Sequence, residues 1–536
     1  MRKWSLMVGV STVTLGFVSA AWAQSSPPVD ATQGAPAGLE EVVVTAQRRV
    51  ENLQRAPIAI SVVQGDAIRE AGINSPAQLS NLVPALQVGQ TLGPYSNFFI
   101  RGVGNLTSNA VFESAVAFNF DGVYIGRPSA TNSFFYDVER VEVLKGPQGT
   151  LYGRNATGGA INILPAPPKF EPEASVTADI GNYDARRIDA MVNVPLSSTV
   201  AMRVAGFYGA HAGYMQDGTD DQDQKGARVQ LLYQPSSDLD VKLTADYFEM
   251  GGRGNGATPV APGLLDTRAG VLSPQGLNYI SSLFNVLSLS GYAAPAGVTP
   301  FVDGKFWGVN ATINYRTDFG TFTLIPSYRA MRQVNRSAVY TGVITQHETD
   351  NQHSVEARYA SPDDNRLQAL IGGYYFKEGG HSPTLLVNYG YALQDDVFKL
   401  GTESFAGFGR LTYKVLPDVK LTGGLRLTHE AKSFTGGADT LFDKFCLNSF
   451  PPGCPAAVPF PFGLTQIPNT TFINGASIPT FGADGTITVG SLYQRPDAKL
   501  SVNKLTYRLA ADWDITPDSL LYASFETGFK SGGFFF

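Results

Sequence analysis

A two-residue alternation of apolar and polar side chains recurs through the last two thirds of the chain. In the segment DLDVKLTADYF, the apolar positions are Leu239, Val241, Leu243, Ala245 and Tyr247. This period places one residue type on each face of a β-strand. About 13 such segments lie between Glu173 and Phe536, each near the ~9–11 residues of a tilted membrane strand. The pattern predicts a mainly β chain that forms a transmembrane antiparallel β-barrel.

The connections between these segments are of two kinds. Tight turns such as QPSSDL, RTDFGT and VLPDV contrast with long connections at 251–304 and from 434 to about 499, which are predicted to be structureless loops. Outer-membrane barrels have short periplasmic turns and long external loops. An antiparallel sandwich with one solvated face would also alternate, but the number of strands and the unequal connections favour the barrel.

The first residues predict export from the cytoplasm. Arg2 and Lys3 precede the apolar run Trp4–Val18, and the small-residue site Ala21–Ala23 follows. This is the pattern of a secretory signal peptide, residues 1–23. No later segment offers 18 uninterrupted apolar residues, so the sequence does not predict an α-helical membrane protein.

Composition excludes some classes of partner and site. The chain has 57 Gly, 33 Phe and 23 Tyr, which suits strands and turns, and its net charge of -6 gives no electrostatic reason to bind nucleic acid. Cys446 and Cys454 are close in sequence and predict a disulfide in an oxidising compartment. A metal site is the weaker interpretation, because two cysteines without further ligands are too few.

A β-prone segment follows a tail that cannot order itself. Residues 24–38 are rich in Ser, Pro, Ala and Gly and predict a flexible linker. The segment EEVVVTAQRR comes next, and Glu41–Ala46 contains no proline, so every amide is available to a partner strand. The segment either adds to the sheet of another protein or folds back onto the domain that follows it.

Residues 50–168 have a mixed pattern that predicts a small α/β domain. PIAISVV is a strand, Ser75 and Pro76 open a helix, and Asp121-Gly122 turns a hairpin. Five glycines between two strands predict positive φ angles and close backbone approach, namely Gly146, Gly149, Gly153, Gly158 and Gly159. A phosphate-binding loop does not fit, since no Gly-Lys-Ser/Thr follows.

Three stretches in this domain resemble the plug motifs of TonB-dependent outer-membrane receptors, and siderophore receptors in particular. They are NFFIRGVG, FDGVYIGRP and DVERVEVLKGPQGTLYGRNATGGAINIL, and EEVVVTAQRR resembles the TonB box. The resemblance implies a TonB box at 39–49, an N-terminal α/β plug domain at 50–168 in the lumen, and a barrel domain at 169–536 in the outer membrane of a Gram-negative bacterium. Barrels of this family have about 22 strands, so about 13 imply an incomplete barrel and a truncated chain that is not a functional transporter alone.

The resemblance also implies which residues carry the function. Glu41, Val42, Val43, Val44, Thr45 and Ala46 would bind TonB by strand addition. The plug-motif residues would be Arg101, Gly102, Asp121, Gly122, Arg140, Glu142, Arg154 and the five glycines named above. The charged residues Arg101, Glu139, Arg140, Glu142 and Arg154 either dock the plug to the barrel through partly wet contacts or are ordinary solvated charges.

The implied function is energy-coupled import of a scarce large solute, with a ferric siderophore as the first expectation. Cobalamin, haem and oligosaccharide are alternatives within the family, and a passive pore or adhesin is an alternative outside it. Tyr95, Phe98 and Phe112 either face the ligand or belong to the plug core. No cofactor is expected, and the chain has neither a Ser-centred elbow nor a paired-histidine helix, so we expect no enzyme activity. Expected partners are TonB, the ligand and outer-membrane lipid.

Overall fold

The structure is a computed structural model, and it describes most of the chain beyond residue 42. The described residues are 43–45, 47–49, 51–90, 94–106, 113–258, 268–286, 297–339, 342–388, 392–442, 445–446, 480–481, 486–488, 492–494, 497–516 and 519–534. The signal peptide and linker predicted for residues 1–38 lie outside them, so both remain predictions.

Short strands and helices make up the N-terminal domain, as the mixed sequence pattern predicts. Its elements are β1 (Val43–Val44), β2 (Glu51–Asn52), β3 (Ile60–Gln64), α1 (Gly65–Glu70), β4 (Leu86–Gln90), β5 (Ser96–Ile100), β6 (Val103–Gly104), β7 (Val116–Phe120), β8 (Val123–Tyr124), β9 (Val138–Lys145), β10 (Gly159–Pro165), and the 3-10 helices Leu53–Arg55, Pro76–Asn81 and Pro128–Phe134. The helix predicted at Ser75 is therefore a 3-10 helix, and Ser75 occupies its N-cap position.

A five-stranded sheet with the order β3-β9-β10-β7-β8 organises this domain, and β10 pairs with β7 in parallel. All five residues of β7 are buried, because the sheet is covered on both faces. Aromatic side chains fill the core on one side, where the rings of Phe120 and Phe134 stack with centroids 4.2 Å apart. Smaller sheets β4-β5-β6 and β1-β2 flank the main sheet.

Long strands dominate the rest of the chain. They and four minor strands are β11 (Glu173–Gly181), β12 (Ala185–Pro195), β13 (Val200–His211), β14 (Gln222–Tyr233), β15 (Leu239–Gly251), β16 (Phe301–Thr317), β17 (Gly320–Val339), β18 (Gly342–Ala360), β19 (Leu367–Asn388), β20 (Ala392–Leu416), β21 (Val419–Phe442), β22 (Phe445–Cys446), β23 (Thr480–Phe481), β24 (Thr486–Thr488), β25 (Leu492–Gln494), β26 (Ala498–Thr516) and β27 (Ser519–Glu526). In the described part of the chain, β11 to β21, β26 and β27 pair in sequence order, each antiparallel to the next. We call these 13 strands the wall.

The faces of the wall confirm the predicted alternation. In β15, Leu243 and Tyr247 are exposed, whereas Asp240, Thr244 and Asp246 are buried. The same division holds in β16, where Trp307 and Val309 point outward. The polar face is buried because the N-terminal domain lies against it, so the apolar face is the one left to meet hydrocarbon.

The connections follow the predicted asymmetry, with one correction. The turns after β14, β16 and β20 are short, at 234–238, 318–319 and 417–418. The long connection between β15 and β16, expected to lack secondary structure, contains helix α2 (Pro274–Val286). The helix forms because Ile280 is buried beside Val271, which the two-residue strand pattern could not reveal. No helix among the described residues is long and apolar enough to cross a membrane.

Candidate functional site

The interface between the N-terminal domain and the inner face of the wall is the candidate functional site, and Asp121 is one of its anchors. Asp121 and Gly122 have φ angles of 50° and 83° and form the predicted hairpin turn. At the tip of this turn, the Asp121 carboxylate accepts hydrogen bonds from Lys242 Nζ at 2.6 Å, Thr244 Oγ1 at 3.0 Å and Asn310 Nδ2 at 3.0 Å. A plug-motif residue predicted as a turn therefore also ties the plug to the wall.

Arg127 forms a second anchor, which the sequence analysis did not identify. Its Nε lies 3.0 Å from Asp350 Oδ2, and a terminal nitrogen lies 3.0 Å from Glu378 Oε2. The backbone amide of Gly126 donates to Gln352 Oε1 at 3.0 Å. The three charged side chains are at most 6% exposed. The contacts are therefore dry, which corrects the expectation that docking charges would be partly wet.

Arg154 docks to the wall as the motif analysis allowed. Its guanidinium pairs with Glu113 in the plug and lies 3.0 Å from Glu430 Oε2 on β21. Lys432 Nζ lies 2.9 Å from Glu113 Oε2. Burial alone would raise the pKa of Glu113, but the two neighbouring cations outweigh burial and hold this pKa well below its usual range. Glu113 precedes β7 in an irregular segment with no recognisable motif, so sequence analysis missed it.

The other predicted docking charges do not reach the wall. Arg140 Nε pairs with Glu142 Oε1 at 3.0 Å, and Glu142 also accepts a hydrogen bond from Asn162 Nδ2 at 3.3 Å. Both residues lie on β9, whose neighbours β3 and β10 keep them inside the plug. Glu139 pairs with Arg140 at 2.8 Å, and Arg101 is exposed in a turn with φ of 51°. Of the two alternatives that the sequence left open, docking is not seen for these four residues in the described structure, because Arg140 and Glu142 face other plug elements and Glu139 and Arg101 are exposed to solvent.

The motif glycines have the backbone properties that were predicted. Gly146, Gly153 and Gly159 have φ angles of 99°, 81° and 146°, and Gly102 has φ of 77°. A Cβ at Gly149 would lie 2.4 Å from the carbonyl oxygen of Thr527, and one at Gly158 would lie 2.6 Å from that of Val103. Gly149 and Gly158 thus allow close backbone contacts that a side chain would prevent, as does Gly159, whose Cβ would lie 2.1 Å from the Leu144 carbonyl oxygen.

The described part of the predicted TonB box is folded back onto the plug. Val43 pairs with Asn52 and Val44 with Glu51 in a two-residue antiparallel ladder. The Thr45 amide donates to Glu142 Oε1 at 2.8 Å. Glu41, Val42 and Ala46 lie outside the described residues. Of the two arrangements that the sequence left open, this is the fold-back arrangement, and binding to another protein remains a prediction.

The residues that follow β1 hold this segment against the wall. Arg48 lies 3.1 Å from Glu356 Oε2 and its guanidinium carbon lies 4.7 Å from the ring centre of Tyr152. Arg49 pairs with Asp363 and donates to the Ala369 carbonyl at 2.7 Å. Asp363 belongs to the short turn between β18 and β19, so β1 lies at the short-turn end of the wall.

Two of the candidate ligand-facing aromatics are buried instead. Phe98 belongs to the plug core, 5.5 Å from the ring centre of Phe118. Tyr95 is fully buried, and its hydroxyl donates to Glu348 Oε2 on β18 at 2.8 Å. Of the two alternatives that the sequence left open for these aromatics, Phe98 takes the plug-core one, and Tyr95 is likewise buried with its hydroxyl bound to the wall. Phe112 lies outside the described residues, as does Cys454, so its ligand contact and the disulfide remain predictions.

Comparison with known families now decides the relationship. The family described as TonB-dependent receptor plug domain matches residues 52–160. The family described as TonB dependent receptor-like, beta-barrel matches residues 174–535. The chain belongs to the TonB-dependent receptor family. Members of this family are outer-membrane proteins of Gram-negative bacteria and act as receptors and transporters rather than as enzymes, and the N-terminal domain is their plug.

Several relatives of this TonB-dependent receptor are uptake or import receptors, or receptors for a named ligand, by name. The pesticin receptor of Yersinia pestis is 24% identical over 413 residues, which cover 73% of this chain and 56% of the relative. The crystal structure of the ferric yersiniabactin uptake receptor FyuA from Yersinia pestis has a TM-score of 0.66 at 18% identity, covering 87% of this chain and 64% of that one. The ferric-catecholate import receptor Fiu from E. coli K12 has a TM-score of 0.63 at 15% identity, covering 92% and 73%.

The chain spans about half the length of the curated relatives it matches. The structural similarities, all at low identity, support the plug-and-barrel fold of this TonB-dependent receptor. They do not by themselves identify its ligand.

Proposed function

We propose that this TonB-dependent receptor imports a ferric siderophore, and that TonB drives the import by pulling on residues 41–46. The observation that carries the proposal is the attachment of β1. Among the described residues, a two-residue ladder and hydrogen bonds from the Thr45 amide and hydroxyl to Glu142 hold this segment to the plug, and Arg48 and Arg49 pair with the wall. Each backbone hydrogen bond of the ladder contributes a net ~1 kcal/mol, so a competing strand can replace the ladder.

A pull on this segment would act directly on the centre of the plug. Glu142 lies on β9, which is flanked by β3 and β10 in the five-stranded sheet. Strand addition would give a partner a grip on the backbone, because main-chain hydrogen bonds do not depend on side-chain identity. Force applied at Val43 would therefore reach β9 through Thr45 and Glu142.

The polar interface suits a plug that must move. The anchors around Asp121, Arg127 and Arg154 are charged pairs between the plug and the wall. When the two surfaces separate, water can solvate both partners of each pair, which offsets part of the lost attraction. An apolar interface would instead expose hydrophobic surface at a cost of about 25 cal/mol per Å². This supports movement of the plug rather than a permanently fixed filler.

The strand-addition step can be tested with a proline substitution in the receptor encoded by the full gene. Val43→Pro removes a backbone donor from residues 41–46, so uptake of a radioactive ferric siderophore by cells should be lost. Val29→Pro, in the proline-containing tail, is the matched control and should retain uptake. Both proteins must reach the outer membrane in equal amounts. Normal uptake by the Val43→Pro cells would disprove the TonB step.

The ligand class needs a separate competition experiment. Cells that express the receptor are offered a panel of ferric siderophores together with cobalamin, haem and an oligosaccharide. We expect a ferric siderophore to be taken up, in keeping with the names of the ferric yersiniabactin uptake receptor FyuA and the ferric-catecholate import receptor Fiu. Energy-dependent uptake of cobalamin, haem or the oligosaccharide instead would show that the proposed ligand is wrong, while the proposed TonB-driven mechanism would stand. Conductance of the purified receptor in liposomes without any energy source would favour the passive pore.

A further inference from the structure

The outer face of the wall contains a groove floored by small residues. Ala357, Gly373 and Gly407 are direct neighbours across β18, β19 and β20. Side chains on the adjoining positions rise around them, and the resulting groove has a volume of about 570 Å³. We call this feature the glycine groove. It is independent of the plug interface and of the proposed transport function.

Large side chains form the rims of the glycine groove. Tyr375 and Phe405 face each other along one edge with ring centres 4.8 Å apart. Leu427 closes the β21 side and is 59% exposed, and Val355 continues the edge of Tyr375 and Phe405 onto β18, where it pairs with Tyr375. All four point outward from the wall, so the groove opens toward the hydrocarbon of the membrane.

The backbone does not require glycine at the centre of this floor. A Cβ at Gly407 would have no heavy atom within 4 Å, and one at Gly373 would approach only the Ala406 carbonyl oxygen, at 3.9 Å. Neither residue has a positive φ angle. Local chain geometry would therefore accept a side chain at both positions, and what the two glycines provide is the empty volume itself.

Polar groups stand at one end of the glycine groove. The Tyr375 hydroxyl donates to Glu403 Oε1 at 3.0 Å, and His429 Nδ1 lies 2.8 Å from Asn503 Oδ1. Lys377 follows Tyr375 on the outward face of β19, is exposed, and is the direct cross-strand neighbour of Glu403. This end points away from the short turns, toward the long connections. It therefore lies at the outer leaflet, where a headgroup phosphate would complement the Lys377 ammonium.

The dimensions of the groove discriminate between occupants. The floor spans two interstrand spacings, about 10 Å, and Leu427 bounds it on β21. A helix with its side chains is about 10–12 Å across, which is wider than this floor. An unfilled groove would lose dispersion contacts along its lining. A single flexible acyl chain fits the narrow space and needs no polar partner inside it.

We propose that the glycine groove binds an outer-leaflet lipid, with one acyl chain over Gly373 and Gly407 and its phosphate-bearing headgroup beside Lys377. The proposal requires the membrane location of the receptor and not its transport activity. The site is therefore a specific lipid contact on the wall, distinct from general solvation of the barrel by the bilayer.

Native mass spectrometry of the full-length receptor in mild detergent would test this site. The probes are phosphatidylglycerol and a diacylglycerol with the same chains but no phosphate. The wild type should retain phosphatidylglycerol preferentially. Gly407→Leu fills the groove and should lose the lipid-bound peak. Gly423→Leu should keep it, because Gly423 also has open space around a Cβ but does not line the groove. Lys377→Gln should retain both lipids equally.

As a control for folding, each variant should have the same thermal unfolding midpoint as the wild type. Gly373→Leu provides a second groove-filling variant. Equal lipid retention by the wild type, Gly407→Leu and Gly373→Leu would overturn the proposal. A wild-type dimer that Gly407→Leu converts to a monomer would also overturn it, in favour of a second copy of the receptor as the occupant.

Discussion

At the scale of single residues, the plug interface is built from polar side chains whose partners are far apart in sequence. Asp121 contacts Lys242 and Asn310, and Arg127 contacts Asp350 and Glu378. Sequence motifs predicted that Asp121 forms a turn, but neither its partners nor Arg127 could be predicted. The register of all the wall strands decides which side chains face the plug, and a local sequence motif does not contain that register.

Removal of the Asp121 carboxylate should weaken docking of the plug. Asp121→Ala leaves Lys242 without its nearest anion and Asn310 without an acceptor, so we expect a loss of about 3 kcal/mol in the free energy of unfolding. Glu139→Gln removes a charge whose side chain is 43% exposed and should cost less than about 0.5 kcal/mol. Urea unfolding of the receptor measures both values. Equal losses would show that the Asp121 contacts do not stabilise docking.

Glu113 should make the stability of the plug depend on pH. Its pKa is lowered in the folded protein, because Arg154 and Lys432 outweigh the opposing effect of burial. A lowered folded pKa gives stabilisation that is complete above the unfolded value, about 4.3, and that is lost as the pH falls below it. Protease resistance of the plug should therefore decrease as the pH falls from about 5 to about 3. Glu113→Gln should flatten this dependence, and an unchanged profile in that variant would contradict the assignment.

At the scale of elements, the motif between β9 and β10 shows what the glycines are for. Gly159 begins β10 with φ of 146°, and a Cβ there would lie 2.1 Å from the Leu144 carbonyl oxygen. Gly146 has φ of 99°, yet a Cβ there would meet nothing within 4 Å. A side chain at Gly159 would therefore meet both backbone strain and a clash, whereas a side chain at Gly146 would meet backbone strain alone.

The two glycines predict substitutions of different severity. Gly146→Ala should lower the unfolding free energy of the plug by about 1–2 kcal/mol, the cost of positive φ for a residue with a Cβ. Gly159→Ala should cost more than about 3 kcal/mol, because the β9–β10 pairing must also shift. Thermal unfolding and protease resistance of the two variants measure the difference. A milder effect at Gly159 than at Gly146 would mean that the close approach is not needed.

At the scale of the whole molecule, the wall separates two environments. Its inner face carries the polar partners of the plug, and its outer face carries exposed apolar residues such as Leu243, Leu421 and Leu425. The sequence predicted this division from the alternation alone. The glycine groove lies on the outer face as a local exception, where small residues replace large ones.

A charge on the outer face should be costly in a bilayer. Leu425 is 58% exposed and points outward from β21, so Leu425→Arg should lower the folding free energy in lipid vesicles by about 2–4 kcal/mol. Leu425→Ala is the control and removes apolar contact without adding charge. Spin labels at Leu243 and Leu421 should be accessible to acyl-chain quenchers in the same vesicles. If the Arg and Ala variants were equally stable, or the labels were protected, the outer face would not meet lipid.

The sequence by itself determined the strand count, the lipid-facing side of each strand and the glycine positions of the plug. These features depend on local periodicity or on the conformation of one residue, so residues that are close in sequence are enough to predict them. Family motifs added the location of the plug, because their spacing is specific even without a structure.

Only the tertiary structure decided which charges meet. It placed Arg154 against Glu430 but kept Arg140 and Glu142 inside the plug, and it buried Tyr95 and Phe98 instead of opening them to a ligand. It also aligned Ala357, Gly373 and Gly407 into one floor. Such contacts depend on the register of strands that are distant in the chain, and a shift of one residue in that register would turn every side chain to the opposite face.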